Sequence, residues 1–477
     1  KKLKFTVVQT DSLEIKMGGT QGEITWPELN LFDEDGNGNT DMVAAVCALE
    51  GKLINIPDVY VADGFNFEGT KKFDESTGYR TKSMLVIPMK DHEGDVIGVL
   101  QLLNKQDNLG KTITFTQEDK KLIQSMASQA AVAITNNRLI AGLENLLDSF
   151  IKSIATAIGE KSLYTGGHIN RVAEIANMIT NAINEDESLY KDTHYNDDEV
   201  IQMSRAAWLH DIGKIVTPEY VVDKGTKLET IYDRVHTVEA KFELLKRDLE
   251  IEYLKALAAS KDDEEKDNLS ENFQKNLLDI EDDLNFVVSC NTGGEFMEDA
   301  KIQRIEAISQ KELSINNQKI NLLSQNEVYN LSIRKGTLTE EERTVINNHV
   351  TVSYNMLNTL PFPKKLKRLP VIAASHHKKV KGGGYGAPEI MDLTMTLEDK
   401  ILAVADVFEA LTASDRPYKK ANSLNTSLRI LSFMVKDGDL DKDLVKFFVE
   451  KELHLKYAEL HLSDDQKDEI TIDFKNL

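Results

Sequence analysis

The sequence predicts an α/β domain with a central antiparallel sheet and helices, joined by a long helix to an all-α domain that carries a helical insertion. Three observations lead there. Short strand-like runs separated by turn signals mark the first 116 residues; from Thr116 apolar residues recur at steps of three, four or seven; and from Ser149 onward that helical period continues while histidines gather. With 477 residues the chain is too long for one hydrophobic core, so several compact units are expected. Their expected boundaries are 1–116 for the α/β domain, 117–148 for the connecting helix and 149–477 for the helical domain, with the insertion at about 227–332.

In the first domain, LKFTVVQ, SMLVIPM and VIGVLQLLN read as strands, separated by turn signals such as EDGNGN and KDHEGD. SMLVIPMKDHEGDVIGVLQLLNK has the form of a β-hairpin with two apolar strands around a polar turn. Because the sequence opens directly on LKFTVVQ, an earlier strand or helix of this domain is expected upstream. Next, Leu122, Met126, Ala130, Ala133, Asn137, Ile140, Leu147, Ile151, Ile154 and Ile158 form one apolar stripe. A stripe that long without caps predicts pairing with a partner helix in a homodimer, Asn137 setting the register; packing on its own domain is the alternative. The insertion includes SKDDEEKDNLSENFQKNLLDIEDD, yet Leu244, Leu245, Leu249, Ile251 and Leu254 keep helical spacing. It is read as a helical hairpin whose charge run is a solvated face.

Composition excludes several classes. A net charge of -22 argues against binding a nucleic-acid polymer or an anionic membrane, so a phosphate ligand must be met by a local basic patch. The two cysteines, Cys47 and Cys290, exclude a disulfide framework and point to a reducing, cytoplasmic compartment. No apolar run approaches the roughly 20 residues that span a bilayer, and there is no signal-peptide pattern.

Of ten histidines, His92, His194, His236, His454 and His461 read as structural or exposed. The others stand in a distinctive context. WLHDIGK places His210 and Asp211 side by side, about 100° apart on a helix. Adjacent residues so arranged suit two ions, the carboxylate bridging and the imidazole binding one, with Lys214 a turn away to meet a phosphate oxygen. His349 follows in VINNHVTVSYNML, His376 and His377 in IAASHHKKV, and Asp406 in KILAVADVFEAL. All are expected on helices otherwise made of small apolar residues, where an unpaired imidazole or carboxylate is costly to bury. Imidazole and carboxylate without thiolate favour iron, manganese or zinc. In HHKKVKGGGYG, adjacent imidazoles, three lysines, three consecutive glycines and a tyrosine suggest a place where metal and phosphate meet.

The order His210-Asp211 with Lys214, His349, His376-His377, Gly384-Tyr385 and Asp406 resembles the HD-GYP subgroup of HD-domain phosphohydrolases. LTEEERTVINNHV looks like the family helix that presents a metal-binding histidine, and YTGGHINRV, with His168, fits its opening helix. The resemblance implies hydrolysis of a cyclic dinucleotide, chiefly cyclic di-GMP, to the linear dinucleotide and on to GMP. It implies two divalent ions, iron or manganese, held by His210, Asp211, His349, His376, His377 and Asp406, with Asp211 bridging. Lys214 is then the catalytic or phosphate-orienting lysine. Gly382 to Gly384 let backbone approach a phosphate, Tyr385 stacks on or bonds a base, and Arg416 and Lys419 of RPYKK contact phosphate or guanine edges. The sequence departs from the family at Lys378 in place of a glutamate, Lys381 in place of an aspartate and Gly386 in place of the proline. Tyr164 stands where three-metal members carry a glutamate, which implies a two-metal site and leaves His168 outside the ligand set. Cyclic GMP-AMP as substrate, a catalytically silent dinucleotide receptor and a hydrolase of ordinary nucleotides remain alternatives.

FDESTGYRTKSMLVIPMKDHEGDVIGVLQLLNK resembles a GAF domain, which implies a small-molecule sensor regulating the second half. Asn104-Lys105, Phe115 and Asp119 resemble the signature of cyclic-nucleotide-binding GAF domains, with Lys120 in place of its terminal acid. A plain structural ion pair between Lys105 and Asp119 is the favoured alternative.

Overall fold

A computed structural model describes residues 1–160, 163–294, 296–316, 318–414 and 421–472, without the side chains of 163–166. It divides into two compact units, Lys1–Leu147 and Asp148–Leu477.

In the first unit β1 (Lys2–Leu3), β2 (Val7–Thr10), β3 (Ile15–Gly18) and β4 (Leu29–Asn30) make two small antiparallel pairs, β1 with β4 and β2 with β3. The strand expected through LKFTVVQ is therefore broken, because its two halves take different partners. Then come α1 (Val43–Glu50), β5 (Ile54–Ile56), α2 (Glu68–Thr77), β6 (Met84–Lys90) and β7 (Val96–Leu103), with an antiparallel sheet in the order β5-β6-β7. The expected hairpin is β6–β7, closed where Asp91 N–H donates to Asp95 O. Alternate residues of β6 point to opposite faces. Met84 and Val86 join a core with Cys47 and Phe67, whereas Leu85 and Ile87 join one with Phe115 and Ala127. Burial on both faces explains why SMLVIPM reads as a continuous apolar run rather than an alternation. Lys105 and Asp119 form an ion pair.

The helical stripe is α3 (Gln117–Gly159), 43 residues long. Its Leu122, Met126, Leu139, Ile140, Leu143, Leu146 and Phe150 are exposed, while Ile151, Ala155 and Ile158 are buried. No helix among the described residues is long and apolar enough to cross a membrane.

The second unit continues through α4 (Leu163–Asn184) and α5 (Asp197–Leu209), then a 3-10 turn, Ile212–Val216, and α6 (Glu219–Val222). Next come α7 (Val235–Ala259), α8 (Asp263–Asn291), α9 (Asp299–Ser309), β8 (Glu312–Ile315), β9 (Gln318–Asn321) and α10 (Gln325–Leu331). These last elements surround a core of their own that includes Leu228, Val238, Phe242, Ile280, Val287, Ile305 and Leu331. α7 and α8 are the expected hairpin, stacked through Tyr253 and Phe273. The β8–β9 hairpin corrects the all-helical expectation. Its signal was the alternation in ELSI ahead of Asn316, whose φ of 53° suits a tight hairpin turn.

The unit is completed by α11 (Glu340–Asn347), α12 (His349–Asn358), α13 (Leu369–Ala373), α14 (Pro388–Met391), α15 (Leu397–Thr412), α16 (Leu424–Lys436), α17 (Lys442–Glu450) and α18 (Leu453–His461). Ile169, Val172, Ile175 and Ile179 of α4 are buried, as are Ile401, Leu402, Val404 and Phe408 of α15.

Candidate metal centre

α5 starts at a capping box between Asn196 and Glu199 and ends at His210, which has no exposure at all. Asp211 follows at the start of the 3-10 turn. That turn packs so closely on α12 that a Cβ at Gly213 would collide with the His349 carbonyl oxygen, so only glycine fits there. Ser353 joins the two segments: its hydroxyl donates to His210 O at 2.9 Å and accepts from Gly213 N–H at 2.8 Å. The Gly in HDIGK is thus a packing requirement of the site.

Three histidines share one device. Nδ1–H of His210 donates to Ala207 O at 2.6 Å, that of His349 to Ile346 O at 2.5 Å and that of His376 to Ala373 O at 2.7 Å. Each acceptor lies in the last turn of a helix, where carbonyls lack helical partners. With the hydrogen held on Nδ1, the lone pair sits on Nε2, the form that ligates metal. All three Nε2 atoms are buried without a hydrogen-bond partner among the described residues.

These atoms converge on Asp211. Its Oδ1 stands 3.2 Å from His349 Nε2; its Oδ2 stands 3.3 Å from His210 Nε2 and 3.5 Å from His168 Nε2. The donors form two sets, His349 with His376 and His377, and His168 with His210 and Asp211, each with its ligand atoms within 4.8 Å of one another. Asp406 Oδ1 adjoins the second set, 3.2 Å from His168 Nε2 and 3.9 Å from His210 Nε2. Burial acts to raise the Asp211 carboxyl, but Lys214 and the His210 and His168 imidazoles hold it well below the usual carboxylate range. Asp406 is likewise lowered against burial, by His168 and the His376–His377 pair. Burial pushes the His377 imidazole down to about 4 and His376 well below its ordinary value. Ionised carboxylates facing imidazole lone pairs in a closed interior repel unless a cation lies between them, so the donor set fits metal.

Of the sequence candidates, His210, Asp211, His349, His376, His377 and Asp406 are brought together. His168, a doubtful ligand on sequence grounds, stands among the same donors. Lys214 Nζ bonds Asp211 Oδ2 at 2.6 Å. The Tyr385 ring lies on His377, centroids 4.4 Å apart, and burial raises its hydroxyl. Gly384 (φ +99°) brings the chain back on itself, for a Cβ there would collide with the His377 carbonyl. The lysines of HHKKVKGGGYG differ from the expectation of a phosphate-facing group. Lys378 turns inward to the carbonyls of Ile390 and Leu393, while Lys379 and Lys381 pair with Asp439 at 2.8 and 2.9 Å. Arg416 and Lys419 lie outside the described residues, as does the Tyr164 side chain.

Sequence reasoning missed Glu409, Arg171, Ser353 and Asp439. Glu409 had a signal: in VADVFEAL it follows Asp406 by three positions, one turn along the same face of an apolar helix. Ser353 and Asp439 had none, because their partners are distant in sequence.

Comparison with known proteins agrees with this layout. Residues 20–134 match the GAF domain model; 165–289 and 323–444 match two HD domain models. The HD segments contain all the histidines and acids above. The dual 3',5'-cyclic-AMP and -GMP phosphodiesterase 11 of Drosophila melanogaster is 38% identical over 97 residues, 20% of this chain and 6% of that protein. The cyclic di-GMP phosphodiesterase response regulator RpfG of Xanthomonas campestris pv. campestris (strain 8004) is 35% identical over 100 residues, 21% of this chain and 25% of that one. The cGMP-specific 3',5'-cyclic phosphodiesterase of Drosophila virilis is 31% identical over 97 residues, 20% of this chain and 10% of that one. The chain spans no more than a quarter of these relatives' length.

Proposed function

We propose that this chain, a GAF domain followed by an HD domain, is a metal-dependent phosphodiesterase that opens a cyclic dinucleotide, cyclic di-GMP in the first place, under control of its GAF domain. The observation that carries the reading is the position of Asp211, whose two oxygens face two different sets of imidazole donors. His349, His376 and His377 would hold one divalent ion and His210, His168 and Asp406 the other, with Asp211 shared; nitrogen and carboxylate donors favour iron or manganese. Such ions, when bound, supply the charge that acidifies water and offsets the negative charge building on phosphorus.

The chain's own groups do the rest. Helix-end carbonyls hold the imidazole tautomers before any ligand arrives, so no reorganisation is needed at the moment of reaction. Lys214 brings a cation beside Asp211, placed to orient a phosphoryl oxygen. Tyr385 covers His377 and presents an aromatic edge for a base. The exposed apolar face of α3 supports pairing with a second copy of the chain.

The test is chromatography of the products after iron- or manganese-loaded protein meets cyclic di-GMP, cyclic GMP-AMP and ordinary nucleotides. Linear dinucleotide or GMP is expected. Intact dinucleotide that stays bound would favour a silent receptor, a reading supported by the engagement of Lys379 and Lys381 with Asp439. Turnover of ordinary nucleotides alone would refute the dinucleotide assignment.

A further inference from the structure

We infer that Glu409 is a positioning residue that acts through His168 to aim its ligating nitrogen into the half of the site shared with His210 and Asp211, an inference that rests on the metal-site reading above. Glu409 is wholly buried on α15, one turn after Asp406. Its Oε2 faces His168 Nδ1, and its Oε1 accepts from Arg171 Nε at 2.6 Å. His168 and Arg171 are themselves three positions apart on α4, so one carboxylate is gripped by a single helix face.

The geometry has a physical reason. His210, His349 and His376 sit at helix ends and borrow a spare carbonyl to hold the hydrogen on Nδ1. His168 lies within α4, where carbonyls are taken by the helix's own bonds. It needs an acceptor from elsewhere, and Glu409 supplies one. A lone carboxylate at that depth would be forbidding. Arg171, donating to Oε1 at 2.6 Å, and His168 at Oε2 offset that cost. With the hydrogen on Nδ1, Nε2 turns its lone pair toward Asp406 Oδ1 and Asp211 Oδ2, at 3.2 and 3.5 Å. A full negative charge behind the ring, where the other three histidines have only a dipole, makes His168 the more basic donor.

Glu409→Gln keeps the volume and an acceptor oxygen but removes the charge. With cobalt(II) as probe, chelator competition should show roughly ten- to hundredfold weaker binding of one ion, and the visible spectrum of the cobalt-loaded protein should change. In a His168→Ala background the same substitution should cause no further fall, since the two act as a unit. Folded Glu409→Gln protein with wild-type cobalt affinity and spectrum would overturn the inference, as would an equal fall in both backgrounds. Should Glu409→Gln not fold, Glu409→Asp decides: it keeps the charge one methylene further from Nδ1, an intermediate loss is expected, and unchanged affinity overturns the inference. Wild-type protein that binds no cobalt would instead refute the metal-site reading itself.

Discussion

Asp211 Oδ1 and His349 Nε2 face each other at 3.2 Å, yet neither has a hydrogen to offer, because Asp211 is held ionised and His349 directs its hydrogen to Ile346 O. Two acceptors in contact in a buried place are a cost that a bound metal cation removes. Asp211→Asn should therefore lower metal content and hydrolysis together, by about a hundredfold or more in affinity. Elemental analysis beside a hydrolysis assay checks this, and a variant that keeps both metal and turnover would sink the assignment.

Gly384 should tolerate no side chain. At φ +99° with the His377 carbonyl in the way, Gly384→Ala meets both backbone strain, on the order of 1–3 kcal/mol, and a collision. Gly383→Ala has the same strain at φ +87° but open space around it. Chemical unfolding should show the larger loss for Gly384→Ala, with metal affinity falling in that variant because His377 moves. Equal losses would mean that the close approach is not required.

The metal-free protein should lose stability in mild acid. His377 has its folded pKa lowered to about 4, against about 6.5 when unfolded. Between those values the unfolded chain binds more protons, so stability rises with pH across the window and is lost as pH falls from about 6.5 toward 4. This group contributes roughly 3 kcal/mol at the acid end, and His376, also lowered by burial, acts in the same direction. Melting temperatures of chelator-treated protein from pH 7 to 4 check the slope; His377→Gln should flatten it, and a flat wild-type profile would contradict the burial argument.

The apolar face of α3 predicts self-association. Leu139 and Leu143 lie one turn apart and are both exposed. Burying each contributes about 2 kcal/mol, so replacing both with glutamate should weaken a dimer by at least a hundredfold. Sedimentation of the wild type and the double variant is the measurement, and a monomeric wild type would refute the dimer.

Much of the architecture was legible because it is local. Two apolar runs around a polar turn marked the β6–β7 hairpin, period-3.6 runs marked α3 and the α7–α8 hairpin, and rare polar residues in apolar stretches marked His210, Asp211, His349, His376, His377 and Asp406. Those signals lie within one turn or one strand of the residue concerned. They say which side chains are anomalous, without saying what each one meets.

Tertiary structure decided the partners. Whether Lys379 and Lys381 face a ligand or Asp439, whether His168 joins the site, and whether Glu409 stands behind it depend on which segments pack together across tens to hundreds of positions. A charged group in a low-dielectric interior takes whichever opposite charge or acceptor packing brings within reach. Sequence by itself set the helices, the anomalous residues and the helix-end carbonyls that hold Nδ1 of His210, His349 and His376; packing decided which donors met and what held His168.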